Sequence, residues 1–167
     1  MGALNPKDAG AATHRPRLTE TRRATEEEWR MLHAAAPHAT YFEGPEWARL
    51  WQRYSNGRIA PAPLLHRFED GVRVLAPWSR RKRRLGVSMA QAAPAGTYGG
   101  WLYDPADGVG HSHLARLAAQ LGDGPVVFRQ NPFDPAMDGV APAEGWSQSD
   151  FTQVVDLEQV ERLDTAL

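Results

Sequence analysis

A switch from helical to extended apolar spacing between residues 47 and 78 constrains this fold more than any other feature. Trp47, Leu50, Trp51 and Tyr54 recur at i, i+3, i+4 and i+7, one face of a helix. Pro45 suits the first turn of that helix and Asn56-Gly57 its close. Leu64 to Phe68 then runs through Asp70-Gly71, a good hairpin turn, into Val72, Val74, Ala76 and Trp78 at alternate positions. A chain carrying both periods must pack helices against a sheet.

The remaining signals extend this pattern. Thr25 and Glu28 have capping-box spacing, Trp29, Leu32, His33 and Ala36 follow on one helical face, and Pro37 ends the helix. Leu85 to Ala92 is read as a strand and Trp101 to Tyr103 as a short one, broken by Asp104-Pro105. Leu114, Leu117, Ala118 and Leu121 predict a third helix closed by Gly122, and Pro125 to Arg129 a further strand. After a Pro/Gly-rich loop at 131–147 come a strand at Phe151 to Val155 and a helix from Leu157, capped by Asp156. The fold class is α/β, with helices flanking a mixed sheet and no internal repeat. Residues 1–23 read as a disordered tail without apolar periodicity, 24–156 as the folded subdomain, and 157–167 as the start of a helix or linker. The periodicity of Trp47 and Trp51 places them in the core.

Composition excludes several function classes. The 167 residues carry a net charge of −1, so no global field draws the chain to nucleic acid or an anionic membrane. No cysteine is present, which removes disulfide and thiolate chemistry. No apolar run approaches the ~20 residues of a membrane span. The N-terminus lacks the order of a signal peptide, so the expected location is cytoplasmic.

Candidate chemistry is sparse. Gly96-Thr97-Tyr98-Gly99-Gly100-Trp101-Leu102 combines three glycines, a hydroxyl and two aromatics, which suits either a tight connection or a platform for a substrate. Arg80-Arg81-Lys82-Arg83-Arg84 reads as a solvated loop between strands, with phosphate binding by Arg80, Arg81, Arg83 and Arg84 as the alternative. Arg129-Gln130-Asn131-Pro132 follows an apolar strand directly, where Arg129 or Asn131 can meet a ligand or Asn-Pro can simply begin a turn. His111 and His113 do not share a helical face and read as water-facing residues at a helix start; His14, His33, His38 and His66 lack ligand spacing, so no metal site is expected. No Ser-His-Asp arrangement, P-loop or zincin pattern is present, and no general base can be named.

Taken in order, several segments resemble the N-terminal half of a FemAB-like acyltransferase of the GNAT superfamily. They are Ala39-Thr40-Tyr41-Phe42-Glu43-Gly44-Pro45-Glu46-Trp47, the hairpin Glu69-Asp70-Gly71 with Leu75-Ala76-Pro77, the basic stretch, and Gly96 to Gly100. Arg129-Gln130-Asn131-Pro132 and Thr152-Gln153-Val154-Val155-Asp156-Leu157 complete the match, which spans about residues 25 to 163. The resemblance implies a single GNAT-like subdomain, a second one completing the cleft, and transfer of an acyl or aminoacyl group to an amine in cell-envelope assembly. The donor would be acyl-CoA or aminoacyl-tRNA, this half would hold no cofactor of its own, and the acceptor would be a small molecule or peptidoglycan precursor. Thr97, Tyr98, Gly99, Gly100, Arg129 and Asn131 are the substrate contacts so implied. The half alone would be inactive, with self-association conceivable through an uncovered apolar face. A non-catalytic binding or scaffold domain of the same fold is the alternative.

Overall fold

In the computed structural model, residues 16–82, 88–121 and 125–140 are described. Thr25 caps the first helix, α1 (Glu26–Ala35): its hydroxyl accepts from Glu28 N at 3.2 Å, and the Glu28 carboxylate accepts from Thr25 N at 2.8 Å. Glu28 also accepts from Arg22, and this bond, with the cap, holds its carboxyl down at about 2. A short 3-10 turn (Tyr41–Glu43) leads into α2 (Pro45–Tyr54), which closes where Asn56 and Gly57 take positive φ. The third helix, α3, spans His111–Ala118.

Two sheets, rather than the single mixed sheet expected, organise these helices. The first is antiparallel in the order β1 (Leu18–Arg23), β3 (Leu64–Phe68), β4 (Arg73–Ala76). The second runs β2 (Ile59–Pro61), β5 (Ser79–Lys82), β6 (Ser88–Gln91), β7 (Val126–Val127), with only β6 and β7 parallel. Pro63 and Pro77, in the short links between β2 and β3 and between β4 and β5, lie where the chain changes sheet. The molecule is therefore mixed α/β, with two sheets and three α-helices among the described residues.

The first sheet buries both faces. Leu65 and Leu75 pack with Trp29, Leu32 and Ala48 on the α1–α2 side. Phe68, Val74 and Ala76 pack with Trp101, Leu114, Leu117 and Met137 on the α3 side. Alternation along β4 thus feeds one core and then the other. Leu102 joins this sheet through a single bridge to Leu75, with both backbone N–H···O bonds at 2.8 Å, where a short strand was expected.

Several expectations need correction. Leu18–Arg23, read as tail, forms β1: its exposed polar side chains hide the strand from an apolar-period test, while its backbone completes the edge of β3. Arg80, Arg81 and Lys82 lie within β5, paired on both sides, and not in a loop; the side chains stay exposed, so the strand carries charge without burying it. Trp47 and Trp51 are half-buried, because α2 turns Pro45 and Ala48 inward and leaves Leu50 and Tyr54 exposed. His113 is buried: Nδ1 accepts from Gly110 N at 3.1 Å and Nε2 lies 2.8 Å from Asp70, so only His111 faces water. The strand at 151–155 and the helix from Leu157 lie outside the described residues.

One buried histidine in the first sheet makes stability pH-dependent. His66 sits on β3 with Nδ1 3.0 Å from the Thr21 hydroxyl, and burial pushes its pKa down to about 4. The unfolded chain takes up this proton near pH ~6.5, the folded chain only near 4. Stability from this group is therefore complete above ~6.5 and falls with pH towards 4, by up to about 3 kcal/mol. Urea midpoints measured across that window should fall steadily in the wild type, and the fall should be largely absent in His66→Leu.

Candidate functional site

Three loops that leave the sheets and helices converge on one cleft. The loop after α1 brings Pro37, His38, Ala39 and Thr40; the segment after the Leu102 bridge brings Tyr103; the loop after β7 brings Phe133 and Asp134. Together with Pro105, Val109 and Pro135 they line a cleft of about 650 Å³.

A buried knot of hydrogen bonds ties the cleft-lining His38, Thr40 and Phe133 to Glu43 and Asn131. Glu43 is 1% exposed, and its carboxylate accepts from Thr40 N at 2.8 Å and from the Asn131 amide at 3.0 and 3.2 Å. Burial raises the Glu43 carboxyl above its usual range, while the Thr40 and Asn131 donors pull it down. Asn131 also donates to the His38 carbonyl at 2.8 Å, and its own side-chain oxygen accepts from Phe133 N at 2.9 Å. Trp29 Nε1 reaches the Glu43 carbonyl at 2.8 Å, tying the knot to α1. Every polar atom of the Asn131 side chain is thus engaged inside the protein.

The glycines serve close approach. A Cβ at Gly100 would meet Glu43 Oε1 at 3.1 Å and the Asn131 Cβ at 3.2 Å. One at Gly99 would meet the Ala92 backbone at 3.0 Å, and the Gly99 amide already donates to the Arg129 carbonyl at 2.9 Å. Thr97 donates its hydroxyl to Pro94 O at 2.8 Å. Tyr98 is half-buried, with edge-to-face contacts to Phe42 at 5.8 Å and Phe133 at 6.1 Å; the latter ring lines the cleft. Of the residues singled out from sequence, the structure brings Thr97 to Gly100, Arg129 and Asn131 into one neighbourhood beside the cleft, but none of them lines it. Arg80 and Arg81 stand apart on β5, and Arg83 and Arg84 lie outside the described residues.

Charge is unevenly distributed. Arg17, Arg22, Arg30, Arg49, Arg67 and Arg73 each have a carboxylate partner. Between Asp70 and Asp104 the sequence contains no carboxylate at all, and Arg53, Arg58, Arg80, Arg81 and Lys82 have no ion-pair partner among the described residues. Strand β5 therefore presents cations that no carboxylate among the described residues neutralises.

The acid–base groups of the cleft escaped sequence reasoning. His38 is 7% exposed, with Nε2 3.0 Å from the Trp101 carbonyl and 3.7 Å from Asp134 Oδ2. Asp134 Oδ1 accepts from the Tyr103 hydroxyl at 2.6 Å and from Ala136 N at 3.1 Å, while Oδ2 is buried without a hydrogen-bond partner. The Tyr103 ring tilts against the imidazole at 4.7 Å. Burial, reinforced by Asp134, holds the Tyr103 phenol well above its ordinary pKa, so it remains a donor. These groups come from segments far apart in the chain, and no local spacing links them. Among the described residues no cluster of His, Asp and Glu could hold a metal ion, and no helix is long and apolar enough to cross a membrane. Compared with known proteins, the chain finds no match to a family model, a curated protein or a solved structure.

Proposed function

We propose that this chain forms the acceptor-side subdomain of an N-acyltransferase of the FemAB-like, GNAT-related kind, acting on an amine acceptor in cell-envelope assembly. One observation carries the reading: the separate segments on which the resemblance rests are interlocked. Glu43 of the Thr40–Trp47 stretch, Gly100 of the glycine-aromatic stretch and Asn131 of the Arg129–Pro132 stretch meet at one knot. That knot bonds to the backbone of the cleft-lining His38, Thr40 and Phe133, and Tyr98 packs behind Phe133, whose ring suits an acceptor's apolar portion. The uncompensated cations on β5 suit a phosphate-bearing donor such as acyl-CoA or aminoacyl-tRNA.

Acyl transfer to an amine requires close attack geometry and a site for the proton. The cleft provides a mostly apolar wall with a few convergent polar groups, which favours a neutral, attacking amine over a hydrated ammonium. Most of the donor site falls to the second subdomain that the resemblance implies. The purified chain alone is therefore expected to show no turnover with acetyl-CoA or charged tRNA and a lysine-containing acceptor peptide. It should still bind that peptide by calorimetry, about tenfold more weakly after Phe133→Ala. Turnover by the chain alone, or binding indifferent to Phe133, would count against the reading.

A second reading, a non-catalytic binding domain of the same fold, is favoured by one feature. Thr97, Gly99, Gly100 and Asn131 devote their polar groups or their lack of a side chain to internal contacts. Peptide binding without any His38-dependent chemistry would select it.

A further inference from the structure

We infer that His38 is the proton acceptor of the cleft, acting through Nδ1, with the Trp101 carbonyl and Asp134 as positioning groups. The inference rests on the acyl-transfer reading only for the identity of the group that gives up the proton. A carbonyl oxygen can only accept, so the 3.0 Å contact to Trp101 O places the hydrogen on Nε2. Nδ1 then carries the lone pair, on the opposite side of the ring, and has no hydrogen-bond partner among the described residues.

The same geometry accommodates the charge that proton uptake creates. Asp134 is held by Tyr103 and Ala136 through Oδ1, leaving Oδ2 for the imidazolium edge 3.7 Å away. The Tyr103 hydroxyl, a donor to Asp134, keeps that carboxylate from turning away. A base held by a third group that orients it and stabilises its charged form is the arrangement that nucleophilic acyl chemistry uses on unrelated folds. His66 is the internal contrast: it is equally buried, its Nδ1 meets the Thr21 hydroxyl, and no carboxylate among the described residues pairs with it.

The step balances. The lone pair of a primary amine attacks the carbonyl carbon of an acyl thioester or ester, the C–N bond forms, and the carbonyl π pair moves to oxygen. His38 Nδ1 takes the proton from the amine nitrogen. Collapse re-forms the carbonyl, breaks the C–S or C–O bond, and the leaving thiolate or alkoxide receives the proton from His38.

The test uses p-nitrophenyl acetate, an activated ester that needs no donor pocket, with the full chain, in the presence and absence of n-butylamine. Ester cleavage by the wild type should exceed that of His38→Gln by at least about tenfold. Added imidazole should raise cleavage in His38→Gly above the sum of imidazole alone and its effect on His38→Gln, a rescue that a merely structural histidine would not give. Asp134→Asn removes the negative charge beside the ring, so kcat for the ester should fall while KM stays unchanged. Nitrogen-15 spectra of the wild type should show the Nε2–H tautomer at His38 whether or not any variant folds. Cleavage unaffected by His38→Gln, or a Nδ1–H tautomer, overturns the inference. Cleavage that depends on His38 but yields no N-butylacetamide above the uncatalysed background supports the base and counts against the amine acceptor.

Discussion

Replacing Trp101 by alanine is expected to cost about 4 kcal/mol. The indole is 1% exposed and packs with Phe128 at 5.1 Å between the first sheet, α3 and the Met137 turn. Its removal leaves a void bounded by backbone that is hydrogen-bonded on both sides, Leu102 to Leu75 and Gly99 to Arg129, so the walls have little freedom to collapse. Guanidinium melts should show a lowered midpoint with an unchanged slope. Trp101→Phe keeps most of the volume and should cost less than half as much. The Trp101 carbonyl survives both changes, so the tautomer of His38 in any folded variant should be unaltered.

Asn131→Ala is expected to cost about 3 kcal/mol, although the residue is small and carries no charge. The amide is the donor for a buried carboxylate, and its loss leaves Glu43 with fewer donors and the His38 carbonyl unpaired. Asn131→Asp should be worse at neutral pH, since it sets a second carboxylate against Glu43, and its deficit should shrink as pH falls and either group protonates. Paired denaturation curves for the two variants at pH 5 and pH 8 provide the comparison. If Asn131→Ala costs less than about 1 kcal/mol, the knot is not what holds the three loops together.

Local signals in the sequence were strong where structure follows from local spacing. The capping box at Thr25, Pro45 at the head of α2, the left-handed close at Asn56-Gly57 and the Asp70-Gly71 hairpin all take the forms expected of them. Strand β1 was illegible because its side chains are polar and its stability comes from pairing with β3. The fate of the basic run was illegible for a related reason. Backbone pairing on both edges can hold arginines in a strand without burying their charge. The aromatic face of α2 carried a true helical period, but period alone does not say whether a face meets a core or solvent.

For the site, residue types in the sequence indicated a crowded glycine-aromatic turn and a polar Arg-Gln-Asn-Pro stretch, and both are near the cleft. Their sequence context could not indicate that Gly100 is a glycine because Glu43 and Asn131 press against it. Asn131 meets Glu43 across 88 positions of chain, and His38 meets the Trp101 carbonyl across 63. Such partners leave no periodic trace, since the bonds between them form only when loops from different layers are brought to the same place. The sequence by itself therefore determined the helices, the hairpin and their caps, because those depend on neighbours within a few residues. Only the tertiary structure decided which buried polar groups answer one another, because desolvation makes each such group require a partner and the packing of two sheets selects which partner is in reach.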